Sequence, residues 1–335
     1  MTMGARLVPA LAALALFGAG CNSASVSQSP SFSTASSVGP VPGRTLSATT
    51  SGYRSAEPTA FSASLIIMAD GVQGGSGLWR FQRPAKWTAA VPTPGATAVG
   101  RTADGVVVVA GKSVEMRSGS DLMHATATIN LHWSGVAPAA PIVSVDRAPG
   151  GKLALALSDG TSATYAVASA DGAVTALAPA PAQSFTPLVA CLDDTRLLVL
   201  STDNLQVSRL AVIDTAAGTI APIKTIGGIS SFALSADRTT LVAATAGDLF
   251  VAAVSDWIGG VQPRRLAGVG SATVIWGLAL DNDGTGVAML SGTVAEDGRV
   301  GDVHEIGYEN DGSSWSKSFD VPAPMTGARG QVWVP

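Results

Sequence analysis

The 335-residue sequence is poor in the residue types that most often carry chemistry. It has two cysteines, three histidines, 13% charged residues and a formal net charge of −4. Two cysteines are too few for a disulfide framework, and no Cys or His pair has the spacing of a zinc site. A slightly acidic chain without a basic cluster offers no electrostatic surface for nucleic acid. Nucleic-acid binding is therefore not expected.

The apolar run at the N-terminus is too short to span a bilayer. It covers residues 7–20, fourteen residues that follow Arg6, whereas a spanning helix needs about 20. A basic residue, a short apolar run and a small-residue ending are typical of a signal peptide. We therefore predict that residues 1–20 are a signal peptide and that the protein is exported.

The end of this run predicts a lipid anchor. The segment Gly18-Ala19-Gly20-Cys21 resembles the lipobox of bacterial lipoproteins, with Gly18 in the place of the usual Leu. The resemblance implies that Cys21 is lipidated and attaches the protein to the cell membrane or the outer membrane, facing the periplasm or the exterior. The alternative is a plain secretory signal, in which Cys21 is incidental or paired with Cys191.

Residues 21–60 have the composition of a tether. They are rich in Ser, Thr, Pro and Gly and contain few large apolar side chains. Such a segment cannot bury enough apolar surface to offset the entropy lost on ordering. The 39 residues that follow Cys21, treated as flexible coil, would average about 35 Å end to end. This length would hold a folded domain clear of the membrane surface.

From residue 61 onward the sequence repeats itself. Residues 229–256 show the pattern most clearly: an apolar strand, a polar turn, a second apolar strand, a Gly-Asp turn and a third strand. The second strands recur at steps of 47, 44, 44 and 46 residues, beginning at Val106, Leu153, Leu197, Leu241 and Val287. A weaker copy begins at Leu65, 41 residues before the first of these. A fixed period of this length predicts a repeat architecture.

The composition of each repeat predicts a β-propeller. Each complete copy contains four short strands joined by Gly, Asp and Asn turns, the pattern of an antiparallel meander. The second strand is apolar at nearly every position, so both faces of each sheet must be covered. Sheets stacked face to face around an axis meet that requirement. We predict an all-β, six-bladed propeller of four-stranded antiparallel blades over residues 61–335.

The two ends of the repeat array predict how the ring closes. The first copy lacks an initial strand, whereas the sixth is followed by one apolar strand without partners. We therefore predict that Gln331–Val334 is the innermost strand of the first blade. A seventh blade in the irregular segment 118–141 is one alternative, and a large β-sandwich or a β-solenoid is another.

Two turn segments resemble those of known propeller families. Thr102–Gly105 (TADG) and Ser235–Arg238 (SADR) are similar to the Ser-Pro-Asp-Gly turn of the WD, YVTN and TolB-type repeats. The resemblance implies the propeller fold but no chemistry, because the motif builds a hairpin. Residues 308–315 also resemble the Asp-box hairpin of sialidase-type propellers, with Tyr308 in place of Ser.

Acidic residues recur in the turns between the second and third strands. In a propeller these turns share one rim near the channel mouth; the residues are Asp159, Asp203, Asp248, Glu296 and Asp297. Carboxylates there would bind a divalent cation if they converged, as in the six-bladed lactonases, but solubilising turn residues are the simpler interpretation. The segment Asp281–Gly284 resembles the start of a calcium loop but lacks its glutamate. We predict no metal and no other cofactor.

The longest of these turns, residues 291–302, is the predicted contact loop, because long loops on rigid scaffolds often carry binding functions. Its charged residues are Glu296, Asp297, Arg299 and Asp302. His124 and His132 are expected on one outer strand of the second blade and His304 in the sixth. Cys191 lies in an apolar innermost strand and is expected to be buried and inert.

These features favour an exported, lipid-anchored propeller that acts as a protein-binding or scaffolding module of the cell envelope. We expect a monomer with an envelope protein as its partner. The alternative is a hydrolase or lactonase with a divalent metal in the central channel. A quinoprotein-type dehydrogenase is disfavoured by an aromatic content of 5%. The residues that line the channel distinguish the two main hypotheses.

Overall fold

The computed structural model describes residues 64–73, 75–82, 86–135, 137–160, 162–180, 187–202, 207–268, 274–280, 286–292, 303–308, 314–322 and 325–334. They form six sheets, antiparallel except for one added parallel strand, which we call blades 1–6 in chain order. Five blades have four strands and one has a fifth strand added to it. The predicted all-β propeller architecture is confirmed. The predicted signal peptide, Cys21 and the tether lie outside the described residues.

Blades 1–3 occupy the first half of the described chain. Blade 1 contains β1 (Ser64–Val72), β2 (Gly75–Gln82) and β3 (Lys86–Pro92). Blade 2 contains β4 (Ala96–Arg101), β5 (Gly105–Ala110), β6 (Ser113–Ser118) and β7 (Ala125–Asn130), and the short β8 (His132–Trp133) follows it. Blade 3 contains β9 (Ile142–Arg147), β10 (Leu153–Ser158), β11 (Ala163–Ala168) and β12 (Ala173–Ala180).

Blades 4–6 follow the same plan. Blade 4 contains β13 (Val189–Cys191), β14 (Arg196–Thr202), β15 (Ser208–Asp214) and β16 (Thr219–Pro222). Blade 5 contains β17 (Ser231–Leu234), β18 (Thr240–Ala244), β19 (Asp248–Ala253), the helix α1 (Val254–Gly259) and β20 (Arg264–Gly268). Blade 6 contains β21 (Val274–Leu280), β22 (Gly286–Gly292), β23 (Val303–Tyr308) and β24 (Ser314–Phe319), and β25 (Thr326–Val334) ends the described chain.

The second strands of the blades are buried on both faces because a neighbouring blade packs against each face. Val107 and Val109 of β5 pack with Leu153 and Leu155 of β10 between blades 2 and 3. Equivalent clusters fill the spaces between blades 1 and 2, 3 and 4, 4 and 5, and 5 and 6. Apolar burial between blades is thus the main favourable term that holds the ring together.

The last strand closes the ring, as the sequence predicts. β25 pairs antiparallel with β1, so that Ser64 faces Val334 and Ile67 faces Gln331. It is the first strand of blade 1 in the sheet order β25-β1-β2-β3. β25 also contacts β21 of blade 6 and β4 of blade 2. The prediction for Gln331–Val334 is therefore confirmed.

The irregular segment 118–141 contains a strand exchange between blades instead of a seventh blade. β7 completes blade 2, and β8 then pairs in parallel with β12 as the fifth strand of blade 3, with His132 opposite Ala173. The prediction that His124 and His132 share one strand is therefore wrong. His124 lies just before β7, and the chain bends at the buried Leu131 towards the next blade.

A short helix interrupts blade 5. α1 ends at Gly259 and is capped by Gly260, whose positive φ of 78° is the left-handed conformation typical of a helix C-cap. The helix buries Trp257, whose indole Nε1 donates to the Leu241 carbonyl at 3.4 Å. Within the part of the chain that the structure describes, no helix has the length and apolar character of a membrane span.

Candidate functional site: the central channel

The first strands of the six blades surround a central cavity of about 150 Å³. Most of its lining is small or apolar, as at Val99, Leu188, Ala190 and Leu278. The polar and charged lining consists of Arg101, Ser144, Asp146, Ser231, Ser235 and Arg238. Within the described lining there is thus one carboxylate, together with two guanidinium groups and three hydroxyls.

The inner strands approach one another closely at the channel. Gly100 of β4 has no room for a side chain, because a Cβ at this position would lie 2.1 Å from the Val145 carbonyl oxygen of β9. Gly330 of β25 is less crowded but still tight, because a Cβ there would lie 3.1 Å from a methyl carbon of Val99. These two glycines allow blades 1, 2 and 3 to bring their first strands together at the axis.

Arg238 reaches the channel from an unusual turn. It is a non-glycine residue with a positive φ of 62°, at the position that Gly occupies in the Ser-Pro-Asp-Gly turn. Such a conformation costs on the order of 1 kcal/mol. The neighbouring residues stabilise the turn: the Ser235 hydroxyl donates to Asp237 Oδ1 at 2.6 Å, and the Thr239 N–H donates to the same oxygen at 3.0 Å. The Ser235 hydrogen bond is the main reason why the pKa of Asp237 is lowered.

The side chain of Arg238 connects three blades at the channel. Its Nη1 donates to Asp146 Oδ2 of blade 3 at 2.7 Å and also to the Cys191 carbonyl of blade 4. Its Nη2 donates to the Arg147 carbonyl at 2.6 Å. Asp146 Oδ2 accepts a further hydrogen bond from the Cys191 N–H at 2.8 Å. One ion pair therefore ties blades 3, 4 and 5 together.

The electrostatics of this network favour a structural role. Burial alone would lower the pKa of Arg238, but the charge and hydrogen bond of Asp146 outweigh burial and raise the pKa. Burial, followed by the Asp146 charge, raises the pKa of the Cys191 thiol well above its ordinary value. The thiol is free and 1% exposed, so the prediction that Cys191 is buried is confirmed, and its inertness stays a prediction. The raised pKa favours the protonated thiol, which is a much weaker nucleophile than the thiolate.

The predicted rim carboxylates that the structure describes bind neighbouring groups of their own loops or blades. Asp159 Oδ1 accepts from the Ser162 N–H at 2.8 Å, and Asp248 Oδ1 accepts from Arg265 Nε at 2.6 Å. Neither residue lines the cavity. Asp203, the segment Asp281–Gly284 and the contact-loop residues Glu296, Asp297, Arg299 and Asp302 lie outside the described residues.

The histidines do not meet at a site. His124 Nδ1 lies 2.8 Å from Asp121 Oδ2 on the exposed outer side of blade 2, whereas His304 is in β23. Within the described ranges, no group of three or more His, Cys, Asp or Glu side chains is close enough to hold a metal ion. Sequence reasoning missed the Arg238–Asp146 pair. Its one signal was the charged pair Asp146 and Arg147 at the end of an otherwise apolar and hydroxyl-bearing strand, IVSVDR.

The fold defines the chain as a β-propeller. No protein-family model matches the sequence, and no curated protein is significantly similar to it. A protein of unknown function from Bacteroides caccae is similar in structure, with 13% identity, a TM-score of 0.52, and coverage of 81% of this chain and 98% of that chain. A putative TolB from Agrobacterium tumefaciens has 15% identity and a TM-score of 0.51 over 80% of this chain and 92% of that chain.

A periplasmic gluconolactonase from Pseudomonas aeruginosa is more distant, with 12% identity and a TM-score of 0.47 over 77% of this chain and 83% of that chain. Similarities at these identities establish the fold and not the activity. The resemblance to TolB-type propellers that the turn segments imply therefore holds at the level of the fold.

Proposed function

We propose that the protein is a binding or scaffolding module of the cell envelope, built as a lipid-anchored propeller. The proposal rests on one observation: the single carboxylate in the described channel lining, that of Asp146, is already hydrogen-bonded within the protein. Asp146 Oδ2 accepts from Arg238 Nη1 and from the Cys191 N–H. A metal-dependent hydrolase would need several carboxylate or imidazole ligands directed at one point.

The chemistry of the channel supports binding over catalysis. The hydrogen-bond network around Asp146 joins three blades, and Asp146 itself is only 8% exposed. The remaining described lining consists mostly of Val, Ala, Leu, Gly and Ser. These side chains provide neither a general base nor an activated nucleophile. A rigid ring that presents loops on its rims is instead suited to holding a partner.

The proposed contact surface is the loop of residues 291–302, with Glu296, Asp297, Arg299 and Asp302 as its charged positions. It joins β22 to β23, two strands that form one antiparallel pair in blade 6. A photo-crosslinking amino acid at position 297 should give a discrete adduct with an envelope protein in living cells. The same substitution at Ala217, an exposed turn residue of blade 4, serves as the control and should give none.

The proposed anchor is the lipidated Cys21, at the end of the predicted signal peptide. The wild-type chain should partition into the detergent phase of a phase-separation assay, and Cys21→Ser should move it to the aqueous phase. Wild-type protein that stays in the aqueous phase would contradict the anchor. Hydrolysis of gluconolactone with added divalent cations would contradict the binding function and support the lactonase alternative.

A further inference from the structure

The hydrogen-bond donors and acceptors of the described channel lining do not balance. Its one carboxylate, Asp146, already accepts from Arg238 Nη1 and from the Cys191 N–H. Arg238 in turn donates to Asp146 and to the carbonyls of Cys191 and Arg147. A molecule in the cavity would therefore meet mainly the three hydroxyls and the second arginine of the lining.

Ser231 places a buried hydroxyl at the cavity without a partner. The residue begins β17, the innermost strand of blade 5, and it is 4% exposed and lines the cavity. In the described part of the chain, the Ser231 hydroxyl makes no hydrogen bond. A buried hydroxyl without a partner is costly, so such a group points to a ligand or a water molecule that completes the bond.

Ser144 has an unused donor at the same cavity. Its Oγ accepts from the Val189 N–H at 3.2 Å, and a hydroxyl also carries one proton to donate. Among the described residues, nothing accepts a hydrogen bond from Ser144. The third hydroxyl, that of Ser235, already donates to Asp237 and accepts from the Thr240 N–H. Two hydroxyl donors thus remain for a ligand.

Arg101 adds a positive charge to these donors. It ends β4, the innermost strand of blade 2, and lines the cavity. A guanidinium has five N–H donors in a planar fork, so it can hold a ligand and contact a neighbouring group at the same time. Within the described lining the charges of Arg238 and Asp146 offset each other, and Arg101 leaves a surplus of one positive charge.

The rest of the lining indicates the size and character of a ligand. A cavity of about 150 Å³ holds several water molecules or one small molecule. Val99, Leu188 and Leu278 offer apolar contact. Binding sites that combine apolar walls with a few polar groups suit organic molecules, so the lining favours an organic ligand over an inorganic ion.

We propose that the channel binds one small organic anion, a carboxylate or a phosphate ester, whose oxygen atoms accept hydrogen bonds from Arg101, Ser144 and Ser231. Such a group supplies the acceptors and the negative charge that the described lining lacks. The ligand would contact blades 2, 3 and 5. This inference goes beyond the proposed protein-binding function, because the ligand is a small molecule and its site is the channel.

The test is isothermal titration of the full chain in detergent, in a buffer free of carboxylate and phosphate, with four compounds that share a three-carbon skeleton. Glycerate and glycerol phosphate are the anions, glycerol is the neutral control and serinol is the cationic control. We expect saturable binding of at least one anion, and at least about tenfold weaker binding of both controls. The anion that binds more tightly identifies the acidic group. No saturable binding of either anion, or equal binding of glycerol, would overturn the proposal.

A variant of Arg101 tests the site of binding. Arg101→Gln removes the charge, so the affinity for the anion should fall about tenfold or more. Arg196→Gln is the control, because Arg196 is exposed and lies outside the cavity lining, and it should bind within about twofold of the wild type. Unchanged affinity in Arg101→Gln, with native circular dichroism, would mean that the channel does not bind the anion.

A variant of Ser231 keeps the test informative if Arg101→Gln fails to fold. Because the Ser231 hydroxyl has no partner in the described chain, Ser231→Ala should leave the urea midpoint of the ligand-free protein unchanged or raise it. The same change should weaken anion binding about threefold to tenfold. An unchanged affinity would overturn the proposal. If no anion binds but position 297 crosslinks to an envelope protein, the channel ligand is refuted and the proposed function stands.

Discussion

Arg238 Nη1 of blade 5 lies 2.7 Å from Asp146 Oδ2 of blade 3, so this ion pair joins two blades that are not neighbours in the ring. The side chains are 14% and 12% exposed. Blade 4, which lies between them, takes part through the N–H and carbonyl of Cys191. The pair therefore fixes the spacing of three blades at the channel.

Removing the arginine should destabilise the ring. Arg238→Ala leaves the Asp146 carboxylate buried without its counter-charge, and we expect the free energy of unfolding to fall by about 3 kcal/mol. The measurement is urea denaturation of the full chain followed by tryptophan fluorescence.

Arg196 provides the matched control. Its ion pair with Asp193 is exposed: the Arg196 side chain is 51% exposed and the Asp193 side chain 40%. Arg196→Ala should therefore lower the free energy of unfolding by less than about 1 kcal/mol. Adding Asp146→Asn to Arg238→Ala should recover part of the loss, because the uncompensated charge is then gone. Equal costs for the two arginine variants would contradict a structural role for Arg238.

Asp193 should titrate well below an ordinary aspartate. Burial acts to raise its pKa, but hydrogen bonds from the Thr195 hydroxyl and N–H and from Arg196 outweigh burial and lower the pKa to about 2. A folded-state pKa below the unfolded value means that the stability from the ionised form is present above about pH 4 and is lost as the pH falls towards 2.

Carbon-13 NMR titration of the Asp193 carboxyl group measures this pKa directly. Thr195→Val removes a hydroxyl that donates to Asp193 Oδ1 at 2.7 Å and should move the pKa upwards towards the ordinary value of 3.8. A wild-type Asp193 that already titrates near the ordinary value would show that the Thr195 hydrogen bonds do not form in solution.

The Cys191 thiol should be inaccessible in the folded protein. It is 1% exposed, and burial raises its pKa. In a Cys21→Ser background, an aromatic disulfide reagent at pH 8 should react with Cys191 only after denaturant is added. Ser120→Cys in the same background places a thiol at an exposed position and should react at once. Rapid reaction of Cys191 without denaturant would indicate that blades 3 and 4 open readily.

A side chain at position 172 should destabilise the fold, because Gly172 lies where the strand exchange brings blade 2 against blade 3. Its φ is 91°, and a Cβ there would lie 2.2 Å from the Asn130 carbonyl oxygen. We expect Gly172→Ala to cost about 2–3 kcal/mol in unfolding free energy, from conformational strain and the clash together.

Gly218 separates these two effects. Its φ is also positive, at 65°, but a Cβ at this position would have no neighbouring atom within 4 Å. Gly218→Ala should therefore cost about 1 kcal/mol, from strain alone. If Gly172→Ala were no more destabilising than Gly218→Ala, β8 would not be held firmly against blade 3.

The repeating part of the fold was predictable because each copy contains the same local information. A second strand that is apolar at nearly every position must be covered on both faces, which predicts stacked blades. The strand left over at the C-terminus completes blade 1. The strand exchange was not predictable from the pattern. The segment ATATINLHW alternates without interruption, and only the packing of Leu131 and Trp133 divides it between two blades.

The hydrogen-bond network of Arg238 in the channel could not be predicted from the sequence for a similar reason. Arg238 and Asp146 are 92 residues apart, and no local periodicity links a turn in blade 5 to a strand end in blade 3. The turn resemblance predicted the hairpin at Ser235–Arg238 but not the role of an arginine at its glycine position. The rim acids were predicted as a group, yet Asp159 and Asp248 each bond within their own blade.

Whether the channel serves structure or metal chemistry is decided by isothermal titration of Ca²⁺ and Zn²⁺ into the full chain, with Asp146→Asn as the comparison. We expect no saturable binding that depends on Asp146, because its carboxylate is engaged by Arg238 and the Cys191 N–H. Stoichiometric binding by the wild type that is lost in Asp146→Asn would contradict the structural role of this ion pair and identify the channel as a metal site.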